Sequence, residues 1–568
     1  MAKLIKDVVH GYVDFEEEFI DIINSSAFQR LRNIRQTSYI SLYPSSLHDR
    51  FTHSIGVYAL GKYAFEHFEE NVKADFSIES KDIDWKNKKD IFLKACLLHD
   101  IGHAPFSHTG ENFYLQKRTN YSPLPIPSIY VDLISCVKND IFEKDFNNSQ
   151  LVEDKLAKPH EIMSAIVGIK KFDKFINESY RDLFARMIIG LRYENRNDEK
   201  CFEQAIDNSL IQLLNSSVID VDRLDYLARD RTMTGFESVK IDTERLLANV
   251  CLVNMNNVGI NKQYTLGYYK NAASVIENVV VAHDSEKKWI QSNAVVLYDS
   301  FLVQKCIKGV EKFLSSENNF LFCEDTLGDE GVKIDGRTIR LLCDADIIHL
   351  AKQIPSNDYY YEFIEEYFSR SNRKKAIWKT ESEFRLMLRE IGENERTNFL
   401  YWIKELINNL AYNGTSSDED NIVINQRAEE IIIEECDKKI KNIGNKESAT
   451  AQKYRDAVLK QFNVFKEFAQ ANNIEYNFVI TFVAPFSSNI DKLTSNDVLI
   501  KYKNFGYAKP VGEIIKTYSA DEHTRDNQEN EKIFFIYYKR NTSTKYISPV
   551  NFIKYFCNKI ENEFVSPC

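Results

Sequence analysis

The chain has 568 residues, enough for two or three domains with ample cores. A hydrophobic content of 43% and a charged content of 28% are ordinary for a soluble globular protein, and no run nears the ~18 to 20 apolar residues of a membrane span. A net charge of −11 disfavours a broad nucleic-acid surface, and ten scattered cysteines without a CxxC pair suggest neither a disulfide framework nor a zinc knuckle. The opening MAKLIKDVVHGYVDFEEE turns acidic too early for a secretion signal, so a cytoplasmic location is expected.

Apolar residues recur at helical spacing over 14–36 and 54–71, with SSLHDR as a polar loop between them. DIFLKACLLHDI (90–101) reads as a buried helix ending near Gly102 and Pro105, before a proline-rich insert at 122–128. Helices are predicted at 160–195 and 203–232, a hairpin at 250–269, and helix again at 271–314. Beyond residue 330 come a charged helical stretch (358–412), a linker (411–421), one charged helix (426–472), the strand-like runs YNFVITFVAPF and EKIFFIYYKR, and a helix near 550–563. The basic run RSNRKKAIWK (370–379) reads as a solvated helix face rather than a nucleic-acid site. The expected class is mainly α, with a helical core over 1–330, a helical extension over 331–420 and a smaller α+β region over 421–568.

Eight of the eleven histidines lie within the first 160 residues, which points the chemistry to that third of the chain. His53 (RFTHSIG), His99 and Asp100 (LLHDIGH) and Asp222 (IDVDRLDYLARD) form an H…HD…D set. Two imidazoles and two carboxylates suit a divalent metal that keeps open positions for water and phosphate. The alternative for His99 and Asp100 is a buried hydrogen-bonded pair, since two polar side chains ending an apolar helix need a partner. On a helix, Asp222, Tyr226, Arg229 and Asp230 share one face, while Asp225 and Arg229 can pair as an i,i+4 bridge on a solvated side.

At these motifs the chain resembles the HD-domain deoxynucleoside triphosphate triphosphohydrolases. The likeness runs from VVHGYVDFEEEFIDIINSSAFQRLRNIRQ through HDRFTHSIGVYALG, HDIGHAPFSHTGE and KPHEIMSAIVG to DVDRLDYLARD, covering roughly residues 3–300. It implies an HD-type helical metallohydrolase core in which His53, His99, Asp100 and Asp222 hold a divalent metal (Mn, Mg or Fe). It further implies a catalytic group of His103, Glu111 and His160, with His103 or His160 oriented by Glu111 as the proton donor. Arg50, His108, Arg223 and Tyr226 match triphosphate contacts, Gln36 and Asp230 the surroundings of the sugar, and Tyr298 a further substrate contact. The implied partners are a dNTP substrate, an allosteric nucleotide and further copies of the chain.

Five positions depart from the family pattern. Glu111 replaces an Asp, and Thr37 stands where an apolar residue usually lines the deoxyribose. If Tyr298 is the substrate contact, the Arg and His expected eight and four residues before it are Ile290 and Ala294, leaving Lys287 or Lys288 to supply charge. Asn24 replaces an Asp that reads an activating guanine, although Gln29 and Arg32 are kept, so guanine-nucleotide activation is expected to be weak or absent. Competing readings are an HD phosphohydrolase or phosphodiesterase acting on another nucleotide, and a nucleotide-sensing regulatory protein with a dead site.

Overall fold

The computed structural model describes residues 3–121, 124–149, 157–194, 201–254, 264–314, 320–411, 421–442, 445–483, 498–502, 508–511, 533–540 and 546–563. The chain is mainly helical with several small sheets. It divides into two compact units that are discontinuous in sequence, whereas the sequence reading drew contiguous segments. The first unit comprises 1–288, 306–355 and 487–520, and the second 289–305, 356–486 and 521–568.

The first unit opens with an antiparallel hairpin of strands Lys3–Asp7 and Gly11–Phe15, followed by the helix Glu17–Asn24 and two short turns of helix through Asn33. Four further helices carry the chemistry: Arg50–Asp75, Trp85–Leu98, Pro159–Lys171 and Val221–Thr234. Each begins with local sequence chemistry. Asp49, Asp84 and Asp220 accept backbone N–H groups from Thr52, Asn87 and Arg223, respectively, and so cap three of them. Pro159 opens the fourth, where Glu161 accepts the backbone N–H of Lys158 at 2.9 Å. The Arg50 and Trp85 helices pack closely because Gly61 has no side chain: a Cβ there would lie 2.6 Å from Cys96 Sγ.

The predicted hairpin at 250–269 is present as strands Val250–Asn254 and Tyr264–Tyr269 in antiparallel register, and its turn lies outside the described residues. Strand Leu499–Lys501 adds to it in parallel, pairing Ile500 with Tyr268, which brings a C-terminal segment into the first unit. The predicted helix at 203–232 is two helices, Cys201–Leu214 and Val221–Thr234, because Asp220 starts the second.

The second unit is built on a four-stranded sheet in the order Asn421–Asn425, Asn477–Phe482, Phe534–Tyr538, Lys375–Ala376, all antiparallel. YNFVITFVAPF and EKIFFIYYKR thus supply its central strands. Its core is aromatic, with Trp378, Trp402, Phe465, Phe534, Phe552 and Phe556 in mutual ring contact. Two expectations are corrected here. The charged helix expected over 426–472 is two helices, Gln426–Asn442 and Asn445–Ala471. The run 370–379 is not a helix face: it enters the sheet at Lys375–Ala376, burying Ile377 and Trp378, and Lys374 is buried against Glu366 and Glu362. The proposed linker at 412–420 lies outside the described residues.

Candidate metal centre and active site

The C-terminal end of the Trp85 helix delivers His99 and Asp100, and the first turns of the Arg50 and Val221 helices deliver His53 and Asp222. His53 Nε2 lies 2.9 Å from Asp222 Oδ1, 3.5 Å from Asp100 Oδ2 and 3.3 Å from His99 Nε2. His99 Nε2 lies 3.5 Å from Asp100 Oδ1 and 3.6 Å from Asp222 Oδ1. The ring orientations have a clear chemical meaning. His53 Nδ1 is 2.6 Å from Asp225 Oδ2, and His99 Nδ1 is 2.9 Å from the Cys96 carbonyl. Each Nδ1 therefore donates, which leaves each Nε2 facing the other and two carboxylates. The donor set fits a divalent metal: His53, His99 and Asp100 offer ligand atoms within 4.8 Å of one another, and Asp222 lies beside both Nε2 atoms.

Without a bound cation a proton takes its place: burial opposes charging of His53, but hydrogen bonds to Asp222 and Asp225 outweigh it and push the imidazole up to about 9, so a metal would displace the Nε2 proton on binding. Burial likewise opposes ionisation of Asp100, yet Arg50, His99 and His103 hold its carboxyl well below the usual range. Asp222, with 36% of its side chain exposed, is the ligand that opens to solvent, whereas His53, Asp100 and nearly all of His99 are enclosed.

Beside this cluster stands a second one. His103 and His160 stack with centroids 4.1 Å apart and planes 14° from parallel, and His108 meets His160 edge-on at 5.1 Å. Glu111 accepts from His160 Nδ1 in a short hydrogen bond and lies 3.1 Å from His108 Nδ1 through its other oxygen. The sequence reading left His103 or His160 to Glu111. Glu111 orients His160 and His108, while His103 Nε2 lies 3.2 Å from Asp100 Oδ1. Burial opposes ionisation of Glu111, but His160 and His108 hold its carboxyl well below the usual range. Burial, then the Arg50 charge, pushes His103 well down, so it is neutral near pH 7.

The loop that carries these histidines is held tightly. Phe106 and Ser107 adopt φ of 61° and 54°, unusual for residues with a side chain, and the Phe106 N–H donates to buried Asp344 at 2.7 Å. Arg30 donates to the carbonyls of Ile101, His103 and Leu342 at 2.8–3.0 Å. Gly102 donates to Ser164 Oγ at 2.9 Å, and a Cβ on it would lie 2.3 Å from the Ser164 nitrogen. The metal-ligand loop and the His160 helix are therefore locked together.

Other predicted site residues fall into three groups. Arg223 and Tyr226 lie side by side, with Arg223 Nε 3.4 Å from the Tyr226 hydroxyl, and His108 keeps 56% of its side chain exposed. Arg50 is buried and committed: Nη1 donates to Asp100 at 2.7 Å, Nε to Ser107 at 2.9 Å and Nη2 to the Gln36 carbonyl at 3.3 Å. It serves as the charge partner of a metal ligand rather than as a free arm. Asp230 faces His48 Nε2 at 2.6 Å, and burial pushes its carboxyl up to about 7. Gln36 is buried, and its side-chain oxygen has no hydrogen-bond partner. Tyr298 is not tied to these clusters: it is buried in the core of the second unit, and its hydroxyl donates to Glu366 at 2.6 Å.

Sequence reasoning missed His10, His48 and Asp225. The Asp225–Arg229 pair forms as expected at i,i+4, at 2.9 and 3.0 Å, but it is fully buried instead of solvated. Arg229 consequently turns its guanidinium to Asp225 and Asp7. The available signals were His10 inside the opening VVHG block and Gly56 just after His53. A Cβ on Gly56 would lie 1.9 Å from Asp225 Oδ1.

The HD domain family matches residues 50–127, which include His53, His99, Asp100, His103 and Glu111. An uncharacterized protein, MG461, of Mycoplasma genitalium is 28% identical over 326 residues, 56% of this chain and 62% of that one. A deoxynucleoside triphosphate triphosphohydrolase SAMHD1 homolog of Dictyostelium discoideum is 24% identical over 331 residues, 56% of this chain and 54% of its own. The deoxynucleoside triphosphate triphosphohydrolase SAMHD1 of Bos taurus is 30% identical over 270 residues, 45% of this chain and 40% of its own. The matches span only about two-fifths to three-fifths of these relatives. No helix among the described residues is long and apolar enough to cross a membrane. The chain thus carries an HD domain with a donor set that fits a divalent metal, in a longer region that resembles the HD-domain deoxynucleoside triphosphate triphosphohydrolases.

Proposed function

We propose that this protein hydrolyses deoxynucleoside triphosphates to deoxynucleoside and inorganic triphosphate in a metal-dependent reaction. The observation that carries this reading is the pairing of two unlike clusters: a two-histidine, two-carboxylate set that fits a divalent cation, and a histidine whose Nδ1 is oriented by a carboxylate. A divalent metal held by His53, His99, Asp100 and Asp222 supplies Lewis-acid activation of water and of a phosphate oxygen.

The remaining chemistry belongs to side chains. A water oxygen attacks the α-phosphorus and gives up a proton to solvent, the bond to the 5′-oxygen breaks, and that oxygen takes a proton from a side chain that solvent then reprotonates. His160 is the donor, because Glu111 fixes its Nδ1 and stabilises the imidazolium, leaving Nε2 to face the leaving group. Neutral His103, stacked on His160, adds no competing positive charge. Arg223, Tyr226 and His108 line the mouth and offer donors to the β- and γ-phosphates. The first turns of the Arg50, Pro159 and Val221 helices all supply residues to the site, so their N-terminal dipoles favour an anionic ligand. Asp230, with His48 behind it, faces the sugar, and Gln36 brings a buried side-chain oxygen to the same end. Self-association of the chain belongs to the same reading.

The test is to incubate the purified full chain with each dNTP and NTP in turn, with Mn²⁺ or Mg²⁺, and to identify the phosphorus-containing product. Triphosphate from deoxynucleotides, lost in Asp222→Ala, supports the reading. Turnover confined to another nucleotide class favours a different HD phosphohydrolase.

A further inference from the structure

The turn joining the first two strands reaches Asp225, the carboxylate that pairs with His53 Nδ1. Asp7, at the end of the first strand, accepts the N–H groups of Val9 and His10 through Oδ1, both at 2.8 Å, which fixes the turn. Gly11, at φ 76°, closes it in a conformation that favours glycine. The fixed turn presents two side chains inward. His10 Nε2 lies 2.6 Å from Asp225 Oδ1, and Asp7 Oδ2 accepts from Arg229 Nη1 at 2.9 Å.

Asp225 is where these contacts meet. A carboxylate offers four lone-pair positions. Here Oδ1 faces His10 and Arg229 Nη2 (3.0 Å), and Oδ2 faces His53 Nδ1 (2.6 Å) and Arg229 Nε (2.9 Å). Gly56 lets this carboxylate press against the Arg50 helix one turn beyond His53. Asp225 is fully buried and His10 only 13% exposed, so water cannot readily replace either partner.

We propose that His10 and Asp7 are positioning residues of the metal centre, fixing the ring of His53 through Asp225 and Arg229. His10 supplies the donor that stops the Asp225 carboxylate from rotating fully onto Arg229. Asp7 holds Arg229 from its far side. Without His10, Oδ1 keeps one donor, the carboxylate is free to swing, and His53 Nδ1 loses its fixed acceptor. The consequence is a weaker cation site, because outer partners of metal-bound histidines govern ring orientation and ligand basicity.

This inference rests on the metal reading of the His53 cluster, so its test separates the two. Mn²⁺ binding to the full chain is measured by titration calorimetry for wild type, His53→Ala, His10→Ala and His10→Gln, with a thermal melt of each. The expected pattern is one site lost in His53→Ala and weakened about 10–100-fold in His10→Ala. His10→Gln, whose amide can donate to Asp225, recovers much of that loss at a matched melting temperature. Wild-type Mn²⁺ affinity in His10→Ala, or no recovery in His10→Gln at equal stability, overturns the inference and leaves the metal reading standing. Mn²⁺ binding that survives His53→Ala unchanged, or is absent in wild type, overturns the metal reading itself. If His10→Ala does not fold, Asp7→Asn, which loosens Arg229 without opening a cavity, is titrated against the same outcomes.

Discussion

Two histidine clusters stand side by side in the first unit, built from the same residue types and driven to opposite states. In one, the Nε2 atoms of His53 and His99 face Asp100 and Asp222, and the surrounding carboxylates outweigh burial and raise both imidazoles, so a proton holds the place a cation would take. In the other, His103 is kept neutral by burial and by Arg50, and the carboxylate Glu111 is spent on orienting His160 and His108 from behind. The difference lies in where the acids stand. Asp225 backs His53 much as Glu111 backs His160, but Asp100 and Asp222 also stand in front of His53 and His99, and it is this front pair that favours a cation.

The contrast can be broken from either side. The largest effect is expected from the first cluster: His53→Ala or Asp222→Ala removes both metal binding and turnover, read by calorimetry and product analysis. Next, His160→Ala lowers kcat about 10²–10⁴-fold while leaving Mn²⁺ affinity near wild type. A parallel loss of metal there would merge the two clusters into one. Glu111→Gln keeps the shape but removes the charge that stabilises the imidazolium, so kcat falls by less than in His160→Ala and KM is little changed.

A smaller effect sharpens the comparison through packing. Gly56→Ala forces a methyl against Asp225, destabilising the protein by about 1–3 kcal/mol in a denaturant titration and weakening Mn²⁺ binding with it. The smallest concerns regulation. With Asn24 in place of the guanine-reading Asp, added GTP is expected to leave dNTP turnover unchanged, and several-fold stimulation contradicts that expectation.

What was legible in the sequence was local. The H…HD…D set comes from helix ends whose caps are written in the chain: Asp49 and Asp220 start the helices of His53 and Asp222, and the Trp85 helix ends at His99. The Glu111–His160 pair was readable because the motif blocks occur in family order. What stayed hidden depends on contacts distant in sequence. His10 and Asp225 are separated by 215 residues and His48 and Asp230 by 182, and no periodicity encodes which histidine will meet which acid. Burial was misread for the same reason: Asp225 and Arg229 look like a surface pair until the N-terminal hairpin covers them. Tyr298 matches a substrate contact only through the family resemblance, whereas its ring lies in the aromatic core of the second unit and its hydroxyl donates to Glu366. The strand Leu499–Lys501 likewise gave no hint that it would join Tyr264–Tyr269.

The most direct measurement is product identification from the wild-type chain with dNTPs and Mn²⁺, beside Asp222→Ala as a control. Deoxynucleoside plus intact triphosphate, abolished by Asp222→Ala, is the predicted result. Monophosphate plus pyrophosphate, or no turnover of any dNTP with Mn²⁺ demonstrably bound, would contradict it.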